Sequence, residues 1–156
     1  MKVSEYLNED NVLLDVEAKD KYELIDKLIE VAAKSGKILD KEKVREAVYE
    51  REKILSTGVG KGFAVPHGKT DAVNDIVLAF AITKEPLNYE ALDNQPVRLV
   101  MLMVGKDSLV SSHIKLLSRI SRLMNNDEFR ESLLNARTKQ EVLEIFRKEE
   151  SNYFDV

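Results

Sequence analysis

Ile76-Val77-Leu78-Ala79-Phe80-Ala81-Ile82 and Val97-Arg98-Leu99-Val100-Met101-Leu102-Met103-Val104 are the stretches that decide the fold. Both lack polar alternation over most of their length, so each reads as a strand covered on two faces. Helical and strand patterns alternate around them, which predicts an α/β fold. Upstream, Val12 to Val16 reads as a first strand after Asn8-Glu9-Asp10-Asn11. From Asp20 to about Ser35, Leu24, Ile25, Leu28, Ile29, Ala32 and Ala33 recur at helical spacing, with Asp20 and Glu23 spaced as a capping box and Gly36 as the stop. A second helix is expected from Asp40 to about Lys53, burying Val44, Ala47, Val48 and Ile54. Gly58, Gly60 and Gly62 then mark a loop.

Between the two apolar runs, Glu85-Pro86 and Asp93-Asn94-Gln95-Pro96 supply turn chemistry around a short edge segment, Leu87 to Tyr89. Downstream, a helix begins between Ser108 and Ser112 and runs to Met124, with Ile114, Leu117, Ile120, Leu123 and Met124 as its apolar stripe. A shorter helix carries Phe129, Leu133 and Leu134. The last runs from Thr138 to about Lys148, has Thr138 and Glu141 in capping-box spacing, and buries Val142, Leu143, Ile145 and Phe146. One domain over residues 1–150 is expected, with Ser151 to Val156 a loose tail.

Composition removes several classes of function. The 156 residues are 44% hydrophobic and 33% charged, which suits one domain with a substantial core. Its 28 acidic and 24 basic residues are mixed along the chain for a net charge of -4, so no positive field invites nucleic acid. No leader pattern opens the chain and no apolar run is long enough to span a bilayer, so a cytoplasmic protein without membrane insertion is expected. Cysteine is absent, which excludes disulfides and thiolate chemistry, and two histidines make a metal site improbable. No cofactor is expected.

The chemistry concentrates in Gly62-Phe63-Ala64-Val65-Pro66-His67-Gly68-Lys69. Pro66 cannot donate to a strand ladder, so the strand near Phe63 should end just before His67 and present its imidazole at a turn. Gly68, lacking a Cβ, lets the backbone approach whatever the imidazole meets. Imidazole changes protonation near neutral pH, which suits proton or phosphoryl transfer, although a plain surface-turn histidine would read the same way. The other histidine, His113, follows Ser111-Ser112 at the mouth of a helix whose free N–H groups and dipole favour an anion, or where a serine simply caps. Arg51-Glu52-Lys53 ends the second helix before Ser56-Thr57. An arginine fork can hold a phosphoryl group through two hydrogen bonds, and a charged helix end is equally often only solvated. The glycines do not form a nucleotide-binding fingerprint, because strand and helix do not frame them in the required order.

Arg51-Glu52, Ser56-Thr57-Gly58 and Phe63-Ala64-Val65-Pro66-His67-Gly68-Lys69, followed by the block His113-Ile114-Lys115-Leu116-Leu117-Ser118-Arg119-Ile120, resemble a known signature in residue type and spacing. They are similar to the type 2 (fructose/mannitol/nitrogen-regulatory) enzyme IIA domains of the bacterial phosphoenolpyruvate:sugar phosphotransferase system. The resemblance implies a single α/β domain with a mixed sheet flanked by helices. It implies a phosphocarrier in which His67, as tele-phosphohistidine, takes a phosphoryl group from the carrier protein HPr and passes it to an enzyme IIB. His113 and Arg51 would then stabilise the phosphoryl group, with Thr57, Ser111 and Ser112 as auxiliary residues. The nitrogen-regulatory alternative uses the same site to control partner proteins by phosphorylation state. Either role needs a neutral His67 with its second nitrogen held by an acceptor, for which a backbone carbonyl is the natural candidate.

Overall fold

The structure, a computed structural model, describes residues 1–153. The two apolar runs become its longest strands, β5 (Val77–Leu87) and β6 (Val97–Gly105), paired antiparallel. Around them lie β1 (Val12–Val16), β2 (Gly58–Gly60), β3 (Phe63–Ala64) and β4 (His67–Lys69). The described residues form a six-stranded mixed sheet in the order β1-β5-β6-β3-β2, with β4 also on β6. β1 runs parallel to β5, β3 and β4 run parallel to β6, and β2 is antiparallel to β3.

Among the described residues, five α-helices flank the sheet: α1 (Lys21–Ala32), α2 (Lys41–Ile54), α3 (Val110–Met124), α4 (Asp127–Asn135) and α5 (Lys139–Tyr153). None of them is long and apolar enough to cross a membrane. Alternation along the central strands feeds two cores. Ala79, Ala81, Val100, Leu102 and Val104 face Leu24, Ile25, Leu28, Val44 and Val48 of α1 and α2. Leu78, Phe80, Leu99, Met101 and Met103 face Leu116, Ile120, Phe129, Leu133 and Phe146 of α3, α4 and α5. Two faces buried at once explain why the strands read as unbroken apolar runs. On the second face Phe146 meets Phe80 and Phe129 edge to face, with ring centroids 5.3 and 5.1 Å apart.

Helix starts follow local chemistry. Asp20 accepts from the Glu23 N–H and Asp40 from those of Glu42 and Lys43, and Gly36 takes the left-handed conformation past a 3₁₀ turn at Ala33–Ser35. Several expectations shift. Gly58–Gly60 is a strand, not a loop: Tyr89 and Ala91 approach so closely that a Cβ on Gly58 would lie 2.8 Å from that of Ala91, so the glycine is a packing requirement. Strand β5 continues through Glu85-Pro86 to Leu87, because a register shift after Ile82 leaves Pro86 exposed where no ladder bond is needed. Ile54 is 79% exposed, since it lies off the Val44–Val48 face, whose next member is the buried Glu52. On α3 the buried face runs His113, Leu116, Ile120, so Ile114 is 61% exposed. Both phases share Ile120, Leu123 and Met124, and a buried histidine cannot be told from a solvated one by hydropathy. Ile145 and Leu134 are partly buried at the edge of their core.

Helix α5 extends through Ser151, Asn152 and Tyr153, so half of the expected loose tail is helical, and residues 154–156 lie outside the described residues. Its anchor is Glu150, fully buried, whose carboxylate accepts from the N–H groups of Val3 at 2.6 Å and Ser4 at 2.7 Å. A carboxylate placed at the start of the Val3–Tyr6 3₁₀ turn satisfies donors that the turn leaves open. Glu150→Ala should therefore destabilise the fold by about 2–3 kcal/mol through two stranded N–H groups. A lower urea midpoint with an unchanged slope would register this, whereas an unmoved midpoint would show the clasp to be idle.

Candidate functional site

β3 and β4 lie on the same edge of β6 in one register, Phe63 opposite Leu99 and His67 opposite Met103. The interruption is Val65-Pro66. Pro66 offers no N–H, and its carbonyl alone joins the ladder, accepting from the Met103 N–H at 3.0 Å. The strand thus stops before His67, as the proline predicts, but resumes with His67 itself as the first residue of β4.

His67 is half-buried, and its Nδ1 lies 2.8 Å from the carbonyl oxygen of Val65. A carbonyl only accepts, so Nδ1 carries the proton and the neutral ring keeps its lone pair on Nε2. Burial pushes the pKa of His67 below its ordinary value, the Val65 hydrogen bond partly opposes this, and the positive charges of Arg51 and Lys69 lower it further. At neutral pH the ring is uncharged, with Nε2 as its free nitrogen. The acceptor that the sequence left unnamed is Val65.

His113 stands 5.8 Å from His67, ring centroid to centroid, at a tilt of 56°. It sits in the first turn of α3, its N–H bonded to the Leu109 carbonyl at 3.0 Å. Leu109 occupies the N-cap and contributes no side-chain bond, so neither Ser111, which is exposed, nor Ser112, half-buried, caps this helix. The first N–H groups of α3 are thereby without a side-chain cap on the same turn as His113. The His113 ring is buried and its Nδ1 has no hydrogen-bond partner among the described residues. A Cβ on Gly105 would lie 2.6 Å from that nitrogen, so β6 ends on glycine to admit the ring. An orphaned buried acceptor costs less than an orphaned donor, which places the His113 proton on Nε2. Burial, then the neighbouring His67 and Lys69, lower its pKa to about 4.

Arg51 lies in the last turn of α2 and donates from Nη1 to the Leu55 carbonyl at 2.8 Å. It caps the end of its own helix, and its positive charge lowers the pKa of His67. Thr57 is buried and its hydroxyl is committed to Glu52 and Tyr89, leaving it no reach toward an anion at His67. Gly68 has a different use from the one expected. A Cβ there would lie 3.1 Å from the Ala47 carbonyl carbon and the Val48 nitrogen, so the close approach is that of α2 to the sheet. Two residues escaped the sequence reading. Lys69, two positions beyond His67 and so on the same side of β4, brings a charge to both rings. Glu52 is buried with Lys21 Nζ at 3.2 Å, and its signal in the sequence was a carboxylate in phase with Val44 and Val48. Among the described residues no cluster of three or more His, Asp or Glu could hold a metal ion.

An α/β/α domain that sets a neutral imidazole beside a second imidazole and an uncapped helix start, with an arginine's charge felt at the first ring, has the donors and charge that suit an anion. The chain belongs to the family described as phosphoenolpyruvate-dependent sugar phosphotransferase system, EIIA 2, which it matches over residues 5–149. It is 36% identical over 148 residues to the fructose-specific EIIABC component of Bacillus subtilis (strain 168), covering 95% of this chain and 23% of that protein. It is 35% identical over 121 residues to the fructose-specific EIIA component of Haloferax volcanii, covering 78% of this chain and 79% of that one. The crystal structure of nitrogen regulatory protein IIA-Ntr from Neisseria meningitidis superposes with a TM-score of 0.85 at 30% identity, covering 92% of this chain and 98% of that one.

The depressed pKa of His113 sets a pH dependence. Between about pH 6.5 and about pH 4 the unfolded chain binds a proton that the folded site refuses, so stability falls as pH drops through this window and levels off below it. His113 alone should account for roughly 3 kcal/mol of that loss. Urea midpoints of wild type and His113→Gln at pH 7.5 and 4.5 isolate it: the variant should lose less stability on acidification, and parallel losses would show a solvated, unperturbed ring.

Proposed function

We propose that this chain is a phosphocarrier that takes a phosphoryl group onto Nε2 of His67 from the phosphohistidine of HPr and passes it to an enzyme IIB in sugar uptake. The observation that carries this reading is the bond from His67 Nδ1–H to the Val65 carbonyl, which leaves Nε2 as the free nucleophile beside His113. In the transfer, the Nε2 lone pair forms a bond to phosphorus as the donor's P–N bond breaks and the donor imidazole leaves with its electron pair. The Nδ1–H of His67 stays hydrogen-bonded to the Val65 carbonyl throughout, and a proton on the other ring nitrogen of the donor histidine lets that ring leave as neutral imidazole. Such a transfer asks a protein mainly for positioning and for charge stabilisation on the phosphoryl oxygens.

The Nε2–H of His113 and the Arg51 fork supply that stabilisation, aided by the uncapped N–H groups at the start of α3. Arrival of a dianion also raises the pKa of His113, so its hydrogen bond strengthens when the group is present. The site stays partly open, which suits a group that must leave again. Ile54 and Leu55 next to Arg51's helix end, and Val110 and Ile114 beside His113, are exposed apolar residues suited to contact with partner proteins. Each chain carries one phosphoryl group per cycle, in the cytoplasm where HPr works.

The regulatory reading, in which the phosphorylation state of His67 controls partner proteins, uses the same chemistry and is favoured by the likeness to the Neisseria nitrogen regulatory protein. Phosphate charge reaching an apolar contact surface would break such a complex by repulsion and desolvation. Transfer onward to a fructose-type IIB separates the two: a sugar carrier discharges to it and a regulator does not.

Incubation with phosphoenolpyruvate, enzyme I and HPr should place one acid-labile phosphate on wild type and none on His67→Ala; label retained by that variant would move the acceptor elsewhere. His113→Ala should slow transfer by about a hundredfold, the usual effect of losing one donor to a developing oxyanion. Unchanged kinetics would reduce His113 to a packing residue. Arg51→Lys keeps the charge but loses the fork, and wild-type rates in that variant would leave Arg51 as a helix cap only.

A further inference from the structure

Thr57 and Val65 face each other across the extension of the β2–β3 ladder, in register with the pair Gly58 and Ala64. Facing residues of an antiparallel pair that share one bond normally share two. Here one is made, from the Val65 N–H to the Thr57 carbonyl at 3.0 Å. The reciprocal bond is missing, because the Thr57 N–H turns away to Oε2 of Glu52 at 2.9 Å. The Val65 carbonyl, released from the ladder, is the one that receives His67 Nδ1–H at 2.8 Å.

We propose that Glu52 is a positioning residue for His67: it withdraws the Thr57 N–H from the strand ladder and so reserves the Val65 carbonyl for the imidazole, fixing the tautomer that exposes Nε2. The inference rests on the phosphocarrier reading for its purpose, though not for its geometry. Glu52 is suited to this because it is buried and immobilised from three sides. Lys21 Nζ of α1 meets Oε2 at 3.2 Å, Tyr89 donates its hydroxyl to Oε1 at 3.1 Å, and the Thr57 hydroxyl donates to Oε1 as well. The Lys21 ammonium also lies 5.4 Å from the centroid of the Tyr89 ring. One carboxylate therefore ties α1, the end of α2, the start of β2 and the loop after β5 to the residue that orients the nucleophile. Without it, the nearest acceptor that strand geometry offers the Thr57 N–H is the Val65 carbonyl, in competition with His67.

Glu52→Ala and Glu52→Gln separate this role from simple support. In the Gln variant the two donors at the Oε2 position, Lys21 and the Thr57 N–H, select the amide oxygen, while the hydroxyls of Thr57 and Tyr89 can accept from the amide nitrogen. Nitrogen-15 spectra of the His67 ring should show the Nδ1–H form in wild type and Glu52→Gln, and a mixture with the Nε2–H form in Glu52→Ala. The initial rate of phosphoryl acceptance in Glu52→Ala should fall about five- to tenfold, the factor one lost hydrogen bond carries. A folded Glu52→Ala that keeps a pure Nδ1–H ring overturns the proposal. Should that variant not fold, the scalar coupling across the Thr57 N–H hydrogen bond in wild type decides instead. Coupling to the Glu52 carboxylate carbon supports the role and coupling to the Val65 carbonyl carbon refutes it. Absence of phosphate on wild-type His67 would remove the carrier reading, while the ring spectra still decide what Glu52 does.

Discussion

Strand β6 is paired on both edges, along β5 on one side and along the two pieces β3 and β4 on the other, and the site follows from that constraint. Because β6 holds both pieces in one register, the chain can interrupt its ladder at Val65-Pro66 without losing its place. The interruption turns a strand carbonyl into an acceptor for a side chain, while the pairing that resumes at His67 keeps the imidazole on a rigid element instead of a mobile loop. At its far end β6 terminates on Gly105, and the space that glycine leaves is filled by the ring of His113. Both imidazoles are thus placed by one strand.

The electrostatics suit a carrier better than a trap. In the resting protein burial keeps both rings neutral, and Arg51 and Lys69 deepen the preference at His67. A cationic His67 would be no nucleophile, and the positive charges around it help to keep the ring neutral. His113 begins as a weak neutral donor and gains basicity only when negative charge arrives.

Much of this was legible in the residues. The two apolar runs, the caps at Asp20 and Asp40, the stop at Gly36 and the strand break at Pro66 act through short-range chemistry that a sequence displays directly. Misread positions share a cause: their roles depend on elements distant in the chain. Gly58 looks like a loop residue until Tyr89 and Ala91 are seen against it, and Gly68 until α2 is seen against it. Ile54 and Ile114 look buried until the neighbouring helix turns are rotated by one position, because Glu52 and His113 occupy places that hydropathy would assign to apolar residues.

What the sequence determined by itself is the class of fold, the identity of the presented histidine and the residue types gathered around it, since periodicity, proline and glycine speak through local sterics. The tertiary structure alone decided which carbonyl holds His67, which nitrogen is left free, and that a buried carboxylate 15 residues upstream of it is bound into the same hydrogen-bond network. Those are facts about donors and acceptors brought together from different elements. A hydrogen bond of 3 Å between residues far apart in the chain exists only once the strands and helices have been packed.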